Sequence, residues 1–227
     1  MRKWEKLPEE LRIEEVRPYY EYLQNHRVAL IMKRVCDVVL ACALFVLLFP
    51  ILLIVAILVG VTSKGGVFFC QERVTTYGKH FHIIKFRTMV ADAEKKGSQV
   101  TTNGDSRVTG IGRFLRKVRL DELPQLINII KGDMSIVGTR PEVPRYVEKY
   151  TPQMMATLLL PAGVTSKASI MYKDEEKLLS ASEDVDKTYV EEVLPGKMKY
   201  NLEYLMEYSF WKDLLLMVQT VLAVWRD

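Results

Sequence analysis

Thiols and imidazoles are scarce. The 227-residue chain holds three cysteines and three histidines. Cys36, Cys42 and Cys70 show no C-x-x-C spacing, which excludes a zinc finger or a dithiol redox motif. They read as small buried side chains in a reducing compartment, without a disulfide framework. His80 and His82 form an isolated H-x-H. On a strand both rings would share a face, but two ligands alone are a weak metal signal. An excess of charge of one sign is also missing: 32 basic residues against 28 acidic ones leave +4. With no basic helix, RNA-binding aromatic pattern or zinc-finger spacing, nucleic acid is excluded as a partner. The small positive excess suits an anionic membrane surface or a phosphorylated substrate. There is no internal repeat and no low-complexity tract.

One apolar run dominates what is present. Val38 to Val61 contains no charged residue. As a helix it would measure ~36 Å, against a hydrocarbon core of ~30 Å. The run begins too late, is too long and lacks the A-x-A site expected of a signal peptide. It therefore belongs to a membrane. Pro50 falls halfway along it, where proline removes a backbone hydrogen bond and kinks or breaks a helix. Two readings stay open, a kinked span and a hairpin that enters and leaves on one side. Lys33 and Arg34 precede the run, and Lys64, Arg73, Lys79, Lys85 and Arg87 follow it. Positive flanks on both sides suit the hairpin, while transmembrane helices tolerate a proline kink, so the residues alone leave the two readings even.

Residues 1–34 are charged and read as a solvated or interfacial helix interrupted by Pro18. After Gly65-Gly66, GVFFCQERV and HFHIIKFRTM predict two strands joined at Tyr77-Gly78. Residues 91–113 read as a polar loop, solvated or covering a site, leading into a helix around Phe114–Val118. Leu123, Leu126, Ile127 and Ile130 then form one apolar helical face that Gly132 stops. Residues 133–141 read as a loop carrying Arg140. Residues 142–160 read as helical, 161–173 as a loop with a short strand, and 174–192 as an acidic solvated segment. Asn201 to Trp225 is amphipathic and aromatic, suited to the membrane interface, a dimer contact or the domain core.

Asp121-Glu122 is the most suggestive pair. Acids at a helix start suit its dipole, and that alone explains them. Adjacent carboxylates can also bind Mg²⁺, which takes oxygen ligands and often bridges to phosphate. Arg116 and Arg119 precede them and Arg140 follows, which supplies phosphate-matching guanidinium groups. Lys85 and Arg87 alternate in KFRTM and would share a strand face, either solvated or facing a site.

The order of these motifs resembles a known family. Lys33-Arg34-Val35-Cys36-Asp37 before an apolar helix with a central proline, then QERV, KFRTM and DSRVTGIGRFLRKVRLDELPQLINIIKGDMSIVGTRPE, is similar to the bacterial sugar transferases. These are monotopic phosphoglycosyl transferases. The similarity covers roughly residues 30–225. It implies an α+β, mainly helical fold: an N-terminal segment 1–34, a re-entrant membrane helix-break-helix over 35–64 broken at Pro50, and a cytoplasmic transferase domain over 65–227 with short strands and interfacial amphipathic helices. It implies transfer of a phosphosugar from a nucleotide diphosphate sugar, usually a UDP-sugar, to polyprenyl phosphate with release of UMP. The place would be the cytoplasmic face of the bacterial inner membrane, the partners membrane lipids and a possible homodimer, and the pathway polysaccharide or glycoconjugate assembly. By resemblance Asp121 is the nucleophile and Mg²⁺ ligand, Glu122 its dyad partner and Arg140 a phosphate-holding arginine. Lys85, Arg87 and Arg116 are candidates for the rest of the cationic site. The alternative is a catalytically inactive scaffold with the same fold.

Three departures stand out. Phe49-Pro50 replaces a common Ser-Pro, and Gly138-Thr139-Arg140-Pro141 replaces G-P-R-P. Pro161 to Lys167 lacks the arginine and proline that usually open that motif, and no N-G-R follows. The sugar and nucleotide are therefore left open, with Lys167 or Lys173 as candidates for the missing charge.

Overall fold

The computed structural model describes residues 1–63, 65–93, 104–182 and 184–225, and the side chains of all of these except residues 224 and 225. Lys64, the middle of the 91–113 loop and the Trp225 side chain lie outside it. The described chain is mainly helical, with two two-stranded sheets.

Two 3-10 turns, Trp4–Lys6 and Glu9–Leu11, precede α1 (Arg17–Asn25). Pro18 does not interrupt this helix. It sits in the first turn, where its missing N–H costs nothing. The N-terminal segment is not a solvated helix either. Leu7, Leu11, Val16, Tyr19, Tyr20 and Leu23 are buried against Leu158, Leu159, Leu160, Leu205 and Tyr208.

Helix α2 runs unbroken from Arg27 to Thr62, 36 residues or ~54 Å. The expected break at Pro50 is absent: residues on both sides of it stay helical. Pro50 loses one ladder bond, while the flanking bonds and a continuous packed stripe hold the helix together. That stripe is Ala41, Phe45, Leu48, Leu52, Val55 and Val59, with spacing of four and three that keeps one face inward. Ala41 packs with Phe81, Ile83, Leu126, Ile129 and Met134. Leu52, Val55 and Val59 pack with Phe86 and Leu115. Both halves of α2 thus rest on the same domain. On the opposite face Val39, Val46, Leu47, Leu53, Ile54, Ile57, Leu58 and Val61 are 45–83% exposed. Cys42 is exposed on this helix and Cys70 on a strand, and Cys36 is half-buried, so the expectation of buried thiols fails; all three are free.

Strands β1 (Phe68–Val74) and β2 (His80–Phe86) form the expected antiparallel hairpin. Thr75 N donates to Lys79 O at 2.9 Å and closes a three-residue loop, Thr76–Gly78, in which Tyr77 at φ 59° and Gly78 at φ 75° reverse the chain. Helix α3 (Gly110–Lys117) starts four residues earlier than expected, because Thr109 caps it by accepting from Gly112 N. A 3-10 turn (Leu120–Glu122) leads into α4 (Gln125–Lys131), and Gly132 at φ 97° stops it. The buried face of α4 is Gln125, Leu126, Asn128 and Ile129, whereas Ile130 is 37% exposed. Asn128 shifts that face: its amide accepts from Ile84 N at 3.0 Å and donates to His82 O at 2.8 Å. One side chain thus satisfies an edge of β2 that apolar periodicity does not reveal.

β3 (Met134–Val137) lies inside the segment read as a loop and pairs in parallel with β4 (Ala162–Thr165). Between them only α5 (Pro144–Val147) and a 3-10 segment (Met154–Leu159) are helical. After β4 come α6 (Lys167–Met171), α7 (Glu175–Ser180) and α8 (Val185–Thr188), then a π turn (Tyr189–Val193). This acidic region is not merely solvated, since Leu179 and Tyr189 are buried. The single C-terminal helix is in fact two, α9 (Leu194–Met206) and α10 (Phe210–Trp225).

Buried charges bolt α2 to the domain. Lys33 Nζ lies 2.7 Å from Asp213 of α10 and 3.7 Å from Asp37. Tyr204 OH donates to Asp213 at 2.9 Å. Asp37 accepts from Ser135 Oγ at 2.6 Å. Arg34 donates to Ile129 O at 2.8 Å and Met134 O at 3.2 Å, placing a cation on the C-terminal carbonyls of α4. Lys33→Met would leave two buried carboxylates uncompensated and should cost about 3 kcal/mol in denaturant unfolding. Lys33→Met with Asp213→Leu should recover part of that loss.

Candidate active site

β2, the Leu120–Glu122 turn and the end of β3 converge on one carboxylate, Glu122. Lys85 on β2 donates to Glu122 Oε1 at 2.9 Å. Arg140 reaches both Glu122 oxygens, at 3.2 Å to Oε2 and in a shorter contact to Oε1. This two-point grip is the geometry for which a guanidinium is suited. Arg140 also donates to Val164 O at 3.1 Å.

The loops carrying Arg140 interlock through two glycines. Gly138 N donates to Thr165 O at 2.9 Å and Gly163 N to Thr139 O at 2.8 Å. A Cβ on Gly163 would collide with the Gly138 backbone. Pro141 O accepts from Arg73 at 3.0 Å, so Arg140 is braced on both sides.

Asp121 is turned inward by Arg119, whose φ of 57° ends α3 and reverses the chain. Such a conformation in a non-glycine residue stores strain, often at functional sites. Asp121 is 6% exposed, and its Oδ1 has no protein partner. Gln125, one turn on, is 1% exposed, and neither of its amide atoms has a partner. Buried polar atoms are nearly always paired, so these orphans mark a place suited to a polar ligand. Gln125 was not singled out from the sequence; a glutamine inside an apolar stripe was the available signal.

The two carboxyls titrate apart. Burial pushes Asp121 above its ordinary value and the Glu122 charge adds to this, with Lys85 opposing. Burial acts upward on Glu122 too, but Arg140 and Lys85 hold it well below the usual range. Burial also lowers the Lys85 ammonium, against the pull of Glu122. Falling pH therefore protonates Asp121 while Glu122 stays ionised and keeps its cations.

The other expected site residues divide. Arg116 belongs near the cluster: its Nε donates to Thr88 Oγ1 at 3.0 Å, and its charge and that of Arg119 act on Asp121. Arg87 does not join it. It donates to Gly66 O at 3.1 Å and Phe68 O at 3.0 Å, bracing the start of β1. Lys167 pairs with Glu203 at 3.2 Å and lies over the Tyr200 ring. His80 sits 3.0 Å from Glu72 on the exposed hairpin. Among the described residues no three metal-ligating side chains cluster. Mg²⁺ usually needs only one or two carboxylates plus substrate phosphates. The orphan Oδ1 of Asp121 fits that lesser demand.

Comparison with known proteins bears on this cluster. The model of the family described as bacterial sugar transferase matches residues 28–227. A UDP-glucose:undecaprenyl-phosphate glucose-1-phosphate transferase of Caulobacter vibrioides is 35% identical over 199 residues, 86% of this chain and 70% of that one. A UDP-N-acetylgalactosamine-undecaprenyl-phosphate N-acetylgalactosaminephosphotransferase of Aeromonas hydrophila is 33% identical over 196 residues, 85% of this chain and 43% of that one. An undecaprenyl-phosphate galactose phosphotransferase of Salmonella typhimurium is 30% identical over 223 residues, again 43% of its length. The chain thus spans less than half of several relatives it matches.

The glycine interlock yields a direct test. Gly163→Ala should lower stability by about 2 kcal/mol through overpacking, read as a shift in the denaturant midpoint. Ala162→Gly, beside it, should cost less.

Proposed function

Because the chain belongs to the bacterial sugar transferases, we propose that it transfers a phosphosugar from a UDP-sugar to polyprenyl phosphate at the cytoplasmic face of a bacterial inner membrane. The observation that carries this reading is Asp121: a buried carboxylate with one unpartnered oxygen, beside a glutamate whose cations are locked in place.

In the first step an Asp121 oxygen attacks the sugar-bearing phosphorus. A phosphorus–oxygen bond of the diphosphate breaks, and its electron pair leaves on UMP. In the second step an oxygen of polyprenyl phosphate attacks the same phosphorus and releases Asp121. The product is a polyprenyl diphosphate sugar, the start of a polysaccharide or glycoconjugate. A carboxylate nucleophile divides one transfer into two easier ones. Arg140, Lys85 and Arg116 neutralise phosphate charge that would otherwise repel Asp121. Glu122 aims Arg140 and Lys85 and keeps the nucleophile and its cations in register. Mg²⁺ held by Asp121 and the diphosphate would supply further charge neutralisation. The relatives name three different sugars, so the sugar stays open.

The outer face of α2 supports a membrane element, and the packing of both its halves on one domain supports attachment from a single side of the bilayer, without the helix-break-helix that the resemblance implies. A span that leaves the domain would lose contact with it at one end. Here Ala41 and Val59 both pack on it. On this reading α10 adds an interfacial stripe, Trp211, Leu215, Val218 and Leu222, each more than half exposed. A homodimer through that stripe is the other occupant it suits.

Membranes supplied with Mg²⁺, polyprenyl phosphate and UDP-sugars should release UMP with at least one sugar, and Asp121→Asn should abolish release. Full activity in that variant would refute the nucleophile. The pH profile follows from the shifts above. Only ionised Asp121 attacks, so the acid limb should lie above the ordinary aspartate value of about 3.9. Glu122→Gln removes a charge that pushes Asp121 upward, so its residual activity should show that limb moved to lower pH.

A further inference from the structure

The mechanism above does not use helix α7. Acids in its first turn suit a helix N-terminus, and that explains their sign. Their partners are more specific. Glu176 Oε1 lies 3.7 Å from Arg116 Nη1, and Arg119 is the next cation acting on it. Glu175 lies 3.0 Å from Lys197 Nζ, and its charge reaches Arg140. The adjacent carboxylates therefore address two arginines, Arg116 in the last turn of α3 and Arg140 after β3, which flank Asp121-Glu122 in sequence.

They are held differently. Lys197 is buried among Glu175, Glu142 at 3.5 Å and Tyr189 OH at 3.0 Å. Glu175 is thereby fixed to the interior. Glu176 is 54% exposed at its side chain, and its contact with Arg116 is long. Leu179 anchors α7 in the core independently of both. Glu176 can therefore leave Arg116 without unpacking the helix. Arg116 keeps its place meanwhile, since Nε stays on Thr88 and only Nη1 changes partner.

We propose that Glu176 sets donor affinity: its carboxylate occupies the Arg116 guanidinium in the free protein and is displaced there by a phosphate of the nucleotide diphosphate donor. The proposal rests on the site reading of the preceding subsection. A phosphate offers more negative charge and more acceptor oxygens than one half-exposed carboxylate, so it wins the guanidinium. A fixed negative charge at the same spot repels it, so removing that charge tightens binding.

Calorimetric binding of inorganic pyrophosphate and of UDP to the full chain in detergent tests this. Glu176→Gln should tighten both by about threefold, the scale of a partly exposed ion pair. Glu191→Gln makes the same change of net charge at an exposed site and should leave affinity unaltered. Arg116→Met should weaken binding and erase the gain from Glu176→Gln. In UMP release, Glu176→Gln should lower KM for the donor with kcat held. Equal or weaker pyrophosphate binding by Glu176→Gln, an equal gain in Glu191→Gln, or no pyrophosphate binding by any variant overturns the proposal. Pyrophosphate binding needs no turnover. A chain that never releases UMP but shows the Glu176 effect would refute the transferase reading and leave this one standing.

Discussion

Helix α2 is too apolar for water, yet both of its ends are fastened to a domain whose other elements carry charged surfaces. At one end Lys33, Arg34 and Asp37 enter buried contacts with α10, α4 and β3. At the other Val55 and Val59 pack on Phe86 and Leu115. A helix so held cannot carry its apolar face far from the domain. If that face meets a bilayer, as proposed, the bilayer comes to the domain, and the Asp121-Glu122 cluster then sits close to it. The Phe81–Phe86 stretch that packs under α2 also includes Lys85, and α4, which packs on the same helix, begins just after Asp121-Glu122. The apolar helix and the Asp121-Glu122 cluster share the same core.

The charges of the site are economical. Glu122 is gripped by Lys85 and Arg140, so in the free protein much of the cationic charge is already neutralised. That arrangement holds two long side chains in place, the condition that preorganised electrostatics needs. Asp121 is handled oppositely. It is buried, strained at its entry and left with an oxygen unsatisfied, a costly condition that supports the proposed role.

Much of this was legible in the sequence, because the signals were local. The apolar run, the aromatic hairpin with its Tyr77-Gly78 turn, the Gly132 stop and the Asp121-Glu122 pair with Arg140 each rest on a few adjacent residues. Long-range features were not legible. The stripe through Pro50 is set by what α2 packs against, so the proline, the positive flanks and the resemblance all pointed to a break that the packing overrides. β3 is four residues inside a glycine- and proline-bearing stretch, and only its pairing with β4 makes it a strand. Asn128 replaces a strand neighbour with an amide, which no periodicity captures. The flanking charges were read as a topological signal. Lys33, Arg34, Arg73, Lys85 and Arg87 all have specific partners instead, so the topology rests on packing.

The most direct measurement is the sidedness of α2. Asn25 is exposed just before it and Cys70 just after it. One variant keeps Cys70 alone, with Cys36 and Cys42 replaced; the other carries Asn25→Cys in a cysteine-free chain. Each is treated with a membrane-impermeant maleimide in intact spheroplasts and again after permeabilisation. Both positions should be protected in intact cells and labelled once the membrane is opened. Labelling of one position but not the other in intact cells would mean that α2 crosses the bilayer, and would contradict the account.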